Sequence, residues 1–162
     1  MRVEVGSDER THTTDAVAAN LEARGCEVEF VGPLAGNADP WPQVARKVAE
    51  RVVSGACDQG VLFCWTGTGV SIAANKVPGV RAALCGDAQT AAGARAWNQA
   101  NVLCLSLAAT SEATAAEILE AWFSASADAS EEENVGKVKR LDEKYRPAAP
   151  LAAEGRKGEL SG

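Results

Sequence analysis

Positive charge is scarce in this sequence: 16 Lys and Arg stand against 22 Asp and Glu in 162 residues, a formal net charge of −6. No basic stripe of the kind a phosphate backbone requires is present, which argues against nucleic-acid binding. No apolar run approaches the roughly 20 residues needed to cross a bilayer. No basic and then apolar leader precedes the strand-like segment that starts at Met1, so a cytoplasmic protein with no membrane partner is expected. Histidine occurs once, as His12, just past the first turn, where a surface position at a helix start and an acid–base role both fit. The five cysteines, Cys26, Cys57, Cys64, Cys85 and Cys104, are odd in number, widely spaced and without a CxxC pair. That pattern points to neither a zinc site nor a disulfide framework. There is no internal repeat, and the length suits one domain with one sizeable core.

What is present alternates. Strand-like runs at Arg2–Val5, Cys26–Val31, Val61–Cys64, Val80–Leu84 and Asn101–Leu105 are separated by helical patterns at Thr13–Ala23, Pro42–Val53, Ser71–Lys76, Ala88–Trp97 and Glu112–Ser124. Arg24-Gly25 ends the first helix in the usual way, and Val44, Val48 and Val52 recur at helical spacing in the second. Short strands alternating with helices mean βαβ units and a parallel sheet covered on both faces, so the fold class is α/β, doubly wound. The domain spans residues 1–145. After Ser124 an acidic stretch leads into a last helix with Val135, Val138 and Leu141 on one side, a stripe that fits a partner subunit or the chain's own sheet. Residues 146–162, rich in Pro, Ala and Gly, read as a C-terminal tail.

The chain is organised around Gly60–Lys76, GVLFCWTGTGVSIAANK. The apolar run Val61–Cys64 suits a strand buried on both faces. Thr66-Gly67-Thr68-Gly69 is a tight turn whose glycines accept positive φ and let backbone amides approach a ligand. A strand, a glycine turn and a helix start aim several N–H groups at one point, an arrangement suited to an anion or a developing oxyanion. Cys64 stands at its lip, where a buried thiol and a reactive one both fit. Open parallel sheets bind at the carboxyl ends of their strands. Asp8 and Glu9, Trp41, Cys64–Gly69 and Gly86-Asp87 lie at those ends. Trp97-Asn98-Gln99 lies at the far end of its helix, which requires a second chain if it is to share the site.

The run Cys64–Ala83, CWTGTGVSIAANKVPGVRAA, together with Asn98 and Asn101-Val102-Leu103, closely resembles the signature of the type B ribose-5-phosphate isomerases and the related galactose-6-phosphate isomerase subunits. The similarity extends from Met1 to about Lys144. It implies a Rossmann-like three-layer sandwich with a five-stranded parallel sheet and a C-terminal dimerisation helix. It also implies a homodimer, or a tetramer built from it, with the active site shared between subunits. The implied chemistry is aldose–ketose isomerisation of a sugar through a cis-enediolate, with no metal or organic cofactor. By the same resemblance Cys64 is the base and Thr66 the hydroxyl assisting at the oxygens. The amides of Gly67, Thr68, Gly69 and Val70 cradle the enediolate, while Asp8 and Asn98 hold the substrate.

Departures from the pattern bear on the substrate. Glu9 and Trp97 stand where the phosphate-using members have histidines, Gln99 follows Asn98, and Ala108 stands where an arginine is usual. Two arginines of the last helix fall on Glu133 and Lys137. A dianion near Glu9 and Glu133 meets like-charge repulsion in place of bidentate arginine contacts. Trp41, Trp65 and Trp97 offer broad faces suited to the C–H faces of a sugar, or fill space vacated by the missing side chains. Trp122 is expected in the core. The reading is an isomerase of a non-phosphorylated or atypical sugar. The alternatives are a sugar-phosphate isomerase recruiting Lys76, Arg81, Arg95 or Lys139, and a non-catalytic sugar-binding relative.

Overall fold

A computed structural model describes residues 1–145. The tail expected at residues 146–162 lies outside the described residues. Five strands, β1 (Arg2–Ser7), β2 (Glu27–Val31), β3 (Gln59–Cys64), β4 (Ala82–Leu84) and β5 (Val102–Ser106), form one sheet in the order β2-β1-β3-β5-β4. Every pairing is parallel, with Val5 opposite Val61 and Val61 opposite Leu103. Six helices accompany them: α1 (His12–Ala23), α2 (Trp41–Val53), α3 (Thr68–Ala74), α4 (Ala88–Asn98), α5 (Glu112–Ser124) and α6 (Glu132–Tyr145). The fold is the α/β, Rossmann-like three-layer sandwich that the alternation and the signature imply.

Strand parity sorts the core into two halves. Val3, Val5, Val61, Phe63, Leu103 and Leu105 point to one face and pack against α1, α4 and α5, where Leu21, Ile118, Leu119 and Trp122 are buried. Leu62, Cys64, Val102 and Cys104 point to the other, under Val44, Ala45, Val48 and Ala49 of α2 and Val70 and Ala74 of α3. This double burial is why β3 reads as a continuous apolar run rather than an alternating one. α2 lies close on the sheet because β1 offers no side chain at Gly6, where a Cβ would stand 2.6 Å from Val44 Cγ1.

Helix starts follow their sequence signals. Thr11, Asp87 and Ser111 cap α1, α4 and α5, each side chain accepting from a backbone N–H three residues on. Such caps are worth about 1 kcal/mol each. β4 is shorter than the Val80–Leu84 read from sequence. Val80 N–H donates to the Val77 carbonyl in a turn, and the Asn101 side chain takes the Arg81 N–H, so the ladder starts at Ala82. The C-terminal helix α6 touches the domain through Val135, which is buried, and through Asp142, which accepts from Gly79 N–H at 2.7 Å. Leu141 on the same stripe stays 53% exposed.

Candidate active site

β1 and β3 end side by side, in register from Val3↔Gln59 to Ser7↔Phe63. At that end lies a cleft of about 250 Å³ lined by Asp8, Trp41, Cys64, Trp65, Thr66, Thr68 and Gly69. Cys64 is the last residue of β3 and shares the parity of Leu62, so its thiol points toward α2 and α3. It packs in that core yet, at 6% exposure, still reaches the cleft wall. The chain then turns sharply. Gly67 N–H donates to the Cys64 carbonyl at 3.1 Å, and Gly67 itself takes φ 73°. A Cβ there would stand 2.5 Å from Leu84 Cδ1 and 2.9 Å from the Leu105 carbonyl, so the turn is pressed flat on β5.

That hydrogen bond shortens the expected amide cradle by one donor. The Gly67 N–H is spent inside the turn, and the orphan N–H groups are those of Thr68, Gly69 and Val70 at the start of α3. Val70 contributes only backbone, its side chain being fully buried. The Trp41 ring lies over Gly69, where a Cβ would come within 3.2 Å of Cε3. Trp65 flanks the mouth with two thirds of its surface exposed. Thr66 Oγ1 and Thr68 Oγ1 are 2.6 Å apart. Burial holds the Asp8 carboxyl above the usual carboxylate range, and the charge of Glu9 adds to the rise. No Lys or Arg among the described residues lines this cleft.

The other sequence-predicted residues lie elsewhere in the single chain. Glu9 is exposed and does not line the cleft, because the chain turns outward after Asp8, the Ser7 hydroxyl donating to the Glu9 carbonyl at 2.6 Å. Asp87, exposed, is occupied as the α4 cap, so Gly86-Asp87 does not converge on the cleft either. Trp97 and Asn98, at the C-terminal end of α4, line a separate cleft of about 480 Å³ between the β4–α4 side and α6. Glu133 and Lys137 pair with each other at 3.1 Å on the exposed face of α6. His12 is the first residue of α1 and is exposed. Trp122 is buried, as expected.

Sequence reasoning missed a clamp behind Asn98. Arg81 Nε donates to the carbonyls of Asn98 and Gln99 at 3.1 and 2.9 Å, and Gln99 takes φ 48°, a left-handed value that few non-glycine residues adopt. Asn101 Oδ1 accepts from Arg81 N–H, and Asn75 bridges Ser71 to Ala82. The signal was present, since Asn75 and Arg81 belong to the signature run, but side-chain-to-backbone bonds cannot be read from spacing. Arg95 is likewise engaged, donating to the Ala100 carbonyl with its guanidinium 5.4 Å over the Trp122 ring. Lys76 and Lys139 are exposed. Among the described residues no group of three or more His, Cys, Asp or Glu is placed to hold a metal ion.

A thiol at a strand end, with two hydroxyls, a carboxylate and helix-start amides around a small cleft at the carboxyl edge of a parallel sheet, is an arrangement of an α/β protein that can take up a small polar molecule. Comparison with known proteins makes the class specific. Residues 3–141 match the family described as Ribose/Galactose Isomerase. The chain is 38% identical over 109 residues to ribose-5-phosphate isomerase B of Escherichia coli, covering 67% of this chain and 73% of that protein. It is 33% identical over 147 residues to the putative sugar phosphate isomerase YwlF of Bacillus subtilis, covering 89% and 99%. The structure of Clostridium thermocellum ribose-5-phosphate isomerase B superposes with a TM-score of 0.83 at 37% identity, covering 90% of this chain and 99% of that one. The chain belongs to the ribose/galactose isomerase family, and it is an aldose–ketose isomerase by class. No helix of the described residues is long and apolar enough to cross a membrane.

Proposed function

We propose that this protein interconverts an aldose and a ketose through a cis-enediolate, with Cys64 as the base, on a sugar that carries no phosphate. The convergence of Cys64, Thr66 and Asp8 in one cleft carries this reading. A thiolate at Cys64 takes the proton from the carbon α to the carbonyl and returns it to the neighbouring carbon. Thr66 gives its proton to the carbonyl oxygen, on which charge develops, and takes the hydroxyl proton of the neighbouring carbon's oxygen in its place, while the Thr68, Gly69 and Val70 amides stabilise the enediolate. Asp8 accepts from substrate hydroxyls. Trp41 and Trp65 face the C–H side of the sugar. Asn98 and Trp97 are supplied by a second copy of the chain, in a cytoplasmic homodimer built with the exposed stripe of α6.

The cleft supports a neutral substrate because its one charged side chain is a carboxylate, and a phosphate dianion beside Asp8 is repelled. A second reading, a sugar-phosphate isomerase, is favoured by the names of the relatives, with cations such as Lys137 or Lys139 brought by the second copy. The two are separated by screening free and phosphorylated aldoses and ketoses of about four to six carbons. Turnover of free sugars, with no thermal protection by inorganic phosphate, is expected. Turnover of phosphorylated sugars alone would establish the second reading. Sugar binding without turnover would make the protein a non-catalytic relative.

A further inference from the structure

Thr68 is the first residue of α3, one past the cap position, which Gly67 occupies without a side chain. Thr11, Ser111 and Asp87 each spend a side-chain oxygen on a backbone N–H of the helix they begin, and Ser106 bonds Trp65 and Ala109 backbone. α3 has no such cap. Among the described residues the Thr66 and Thr68 hydroxyls bond only each other, at 2.6 Å, and both line the Cys64 cleft. The left-handed Gly67 between them, pressed on Leu105, folds two residues at i and i+2 onto the same side of the turn. The pair is therefore not consumed by holding the fold together.

Two hydroxyls carry two protons. One lies in the mutual bond and the other is free to point into the cleft. We propose that Thr68 is a positioning residue that donates to Thr66 Oγ1 and so directs the Thr66 proton at the substrate oxygen. This rests on the isomerase reading above. A hydroxyl that accepts a hydrogen bond donates a stronger one, so Thr68 also polarises Thr66 as charge grows on the enediolate oxygen. No proton leaves Thr68 in the cycle. Its bond to Thr66 shortens as the α-proton moves to Cys64 and relaxes when that proton returns. The alternative direction, with Thr66 donating to Thr68, would place the free proton on Thr68 and make Thr66 the dispensable partner.

Steady-state kinetics of four variants test this, using the aldose or ketose that the wild type turns over fastest in the screen. Thr68→Val keeps the branched shape and removes the hydroxyl, and it is expected to lower kcat about tenfold with KM within about twofold. Thr68→Ser should restore kcat to within about twofold of wild type, and Thr66→Val should lose at least as much as Thr68→Val. The double variant should be no slower than Thr66→Val alone, because Thr68 acts through Thr66. Wild-type kcat in Thr68→Val, a loss in KM alone, failure of serine to rescue, a smaller loss in Thr66→Val, or multiplied losses in the double variant would each overturn the proposal. A wild type inert on every sugar would remove the isomerase reading and this inference with it. An active wild type with an indifferent Thr68→Val would remove only the inference.

Discussion

Gly67 determines where the reactive groups of the cleft point. Its left-handed φ and its contact with Leu105 bring Thr66 and Thr68 together at the start of α3, on the cleft that Cys64 also lines. An L side chain there meets two costs. The left-handed conformation is worth about 1–2 kcal/mol, and crowding against a packed neighbour adds about 1–3 kcal/mol. Leu84 can swing aside, but the Leu105 carbonyl is backbone and cannot. Gly67→Ala is therefore expected to lower unfolding free energy by about 2–5 kcal/mol in denaturant titration. Gly36→Ala, at a similar φ of 81° with nothing within 4 Å, isolates the conformational part and should cost about 1–2 kcal/mol. Equal losses in the two variants would show that the turn is not pressed on β5.

At the scale of elements, β1 carries a charge inside the sheet. Glu4, 2% exposed, faces α2 and is bonded by Arg51, which also bonds Glu29 of β2. Burial raises the Glu4 carboxyl above its ordinary range despite the arginine, so the pairing offsets only part of the desolvation. Removing the partner leaves an uncompensated buried charge. Arg51→Met is expected to cost about 3–5 kcal/mol at neutral pH. The pH dependence has a definite sign. A raised carboxyl binds more protons folded than unfolded, so stability falls as pH rises from the ordinary carboxylate range through the raised value. In Arg51→Met the lowering influence of the arginine is gone, so the window extends upward and acidification recovers part of the loss. Thermal melts of the variant that are flat between weakly acidic and neutral pH would contradict this.

The elements themselves were largely legible because they rest on local signals: an apolar run for β3, Arg24-Gly25 closing α1, and Val44, Val48 and Val52 at helical spacing in α2. Cys64, Trp41 and Asp8 could be placed at one edge because strand ends in a parallel sheet converge. What stayed hidden depends on side chains reaching backbone. Asn101 takes the Arg81 N–H and so shortens β4, and Arg81 holds the α4 terminus. The spacing of Asp8 and Glu9 gave no sign that one lines the cleft while the other faces solvent. The Thr66–Thr68 pair is visible only once Gly67 is known to be left-handed.

At the scale of the whole molecule, the single chain holds its candidate residues in two places. Cys64, Thr66 and Asp8 share one cleft, whereas Trp97 and Asn98 line another beside α6. The exposed Trp97, Val138 and Leu141 form an apolar surface around the second. The shared site proposed above requires a second copy that brings its Asn98 to the Cys64 of the first. The most direct test is exchange of the sugar's α-proton with deuterated water, measured on Cys64→Ser, on Asn98→Ala and on the two refolded together. Each variant alone should exchange roughly 10²-fold or more below wild type. The mixture should recover to about one quarter of wild type, because half of the dimers are hybrids and each hybrid has one intact site. Exchange at the wild-type rate in Cys64→Ser, or a mixture as slow as its parts, would contradict a shared site with Cys64 as its base.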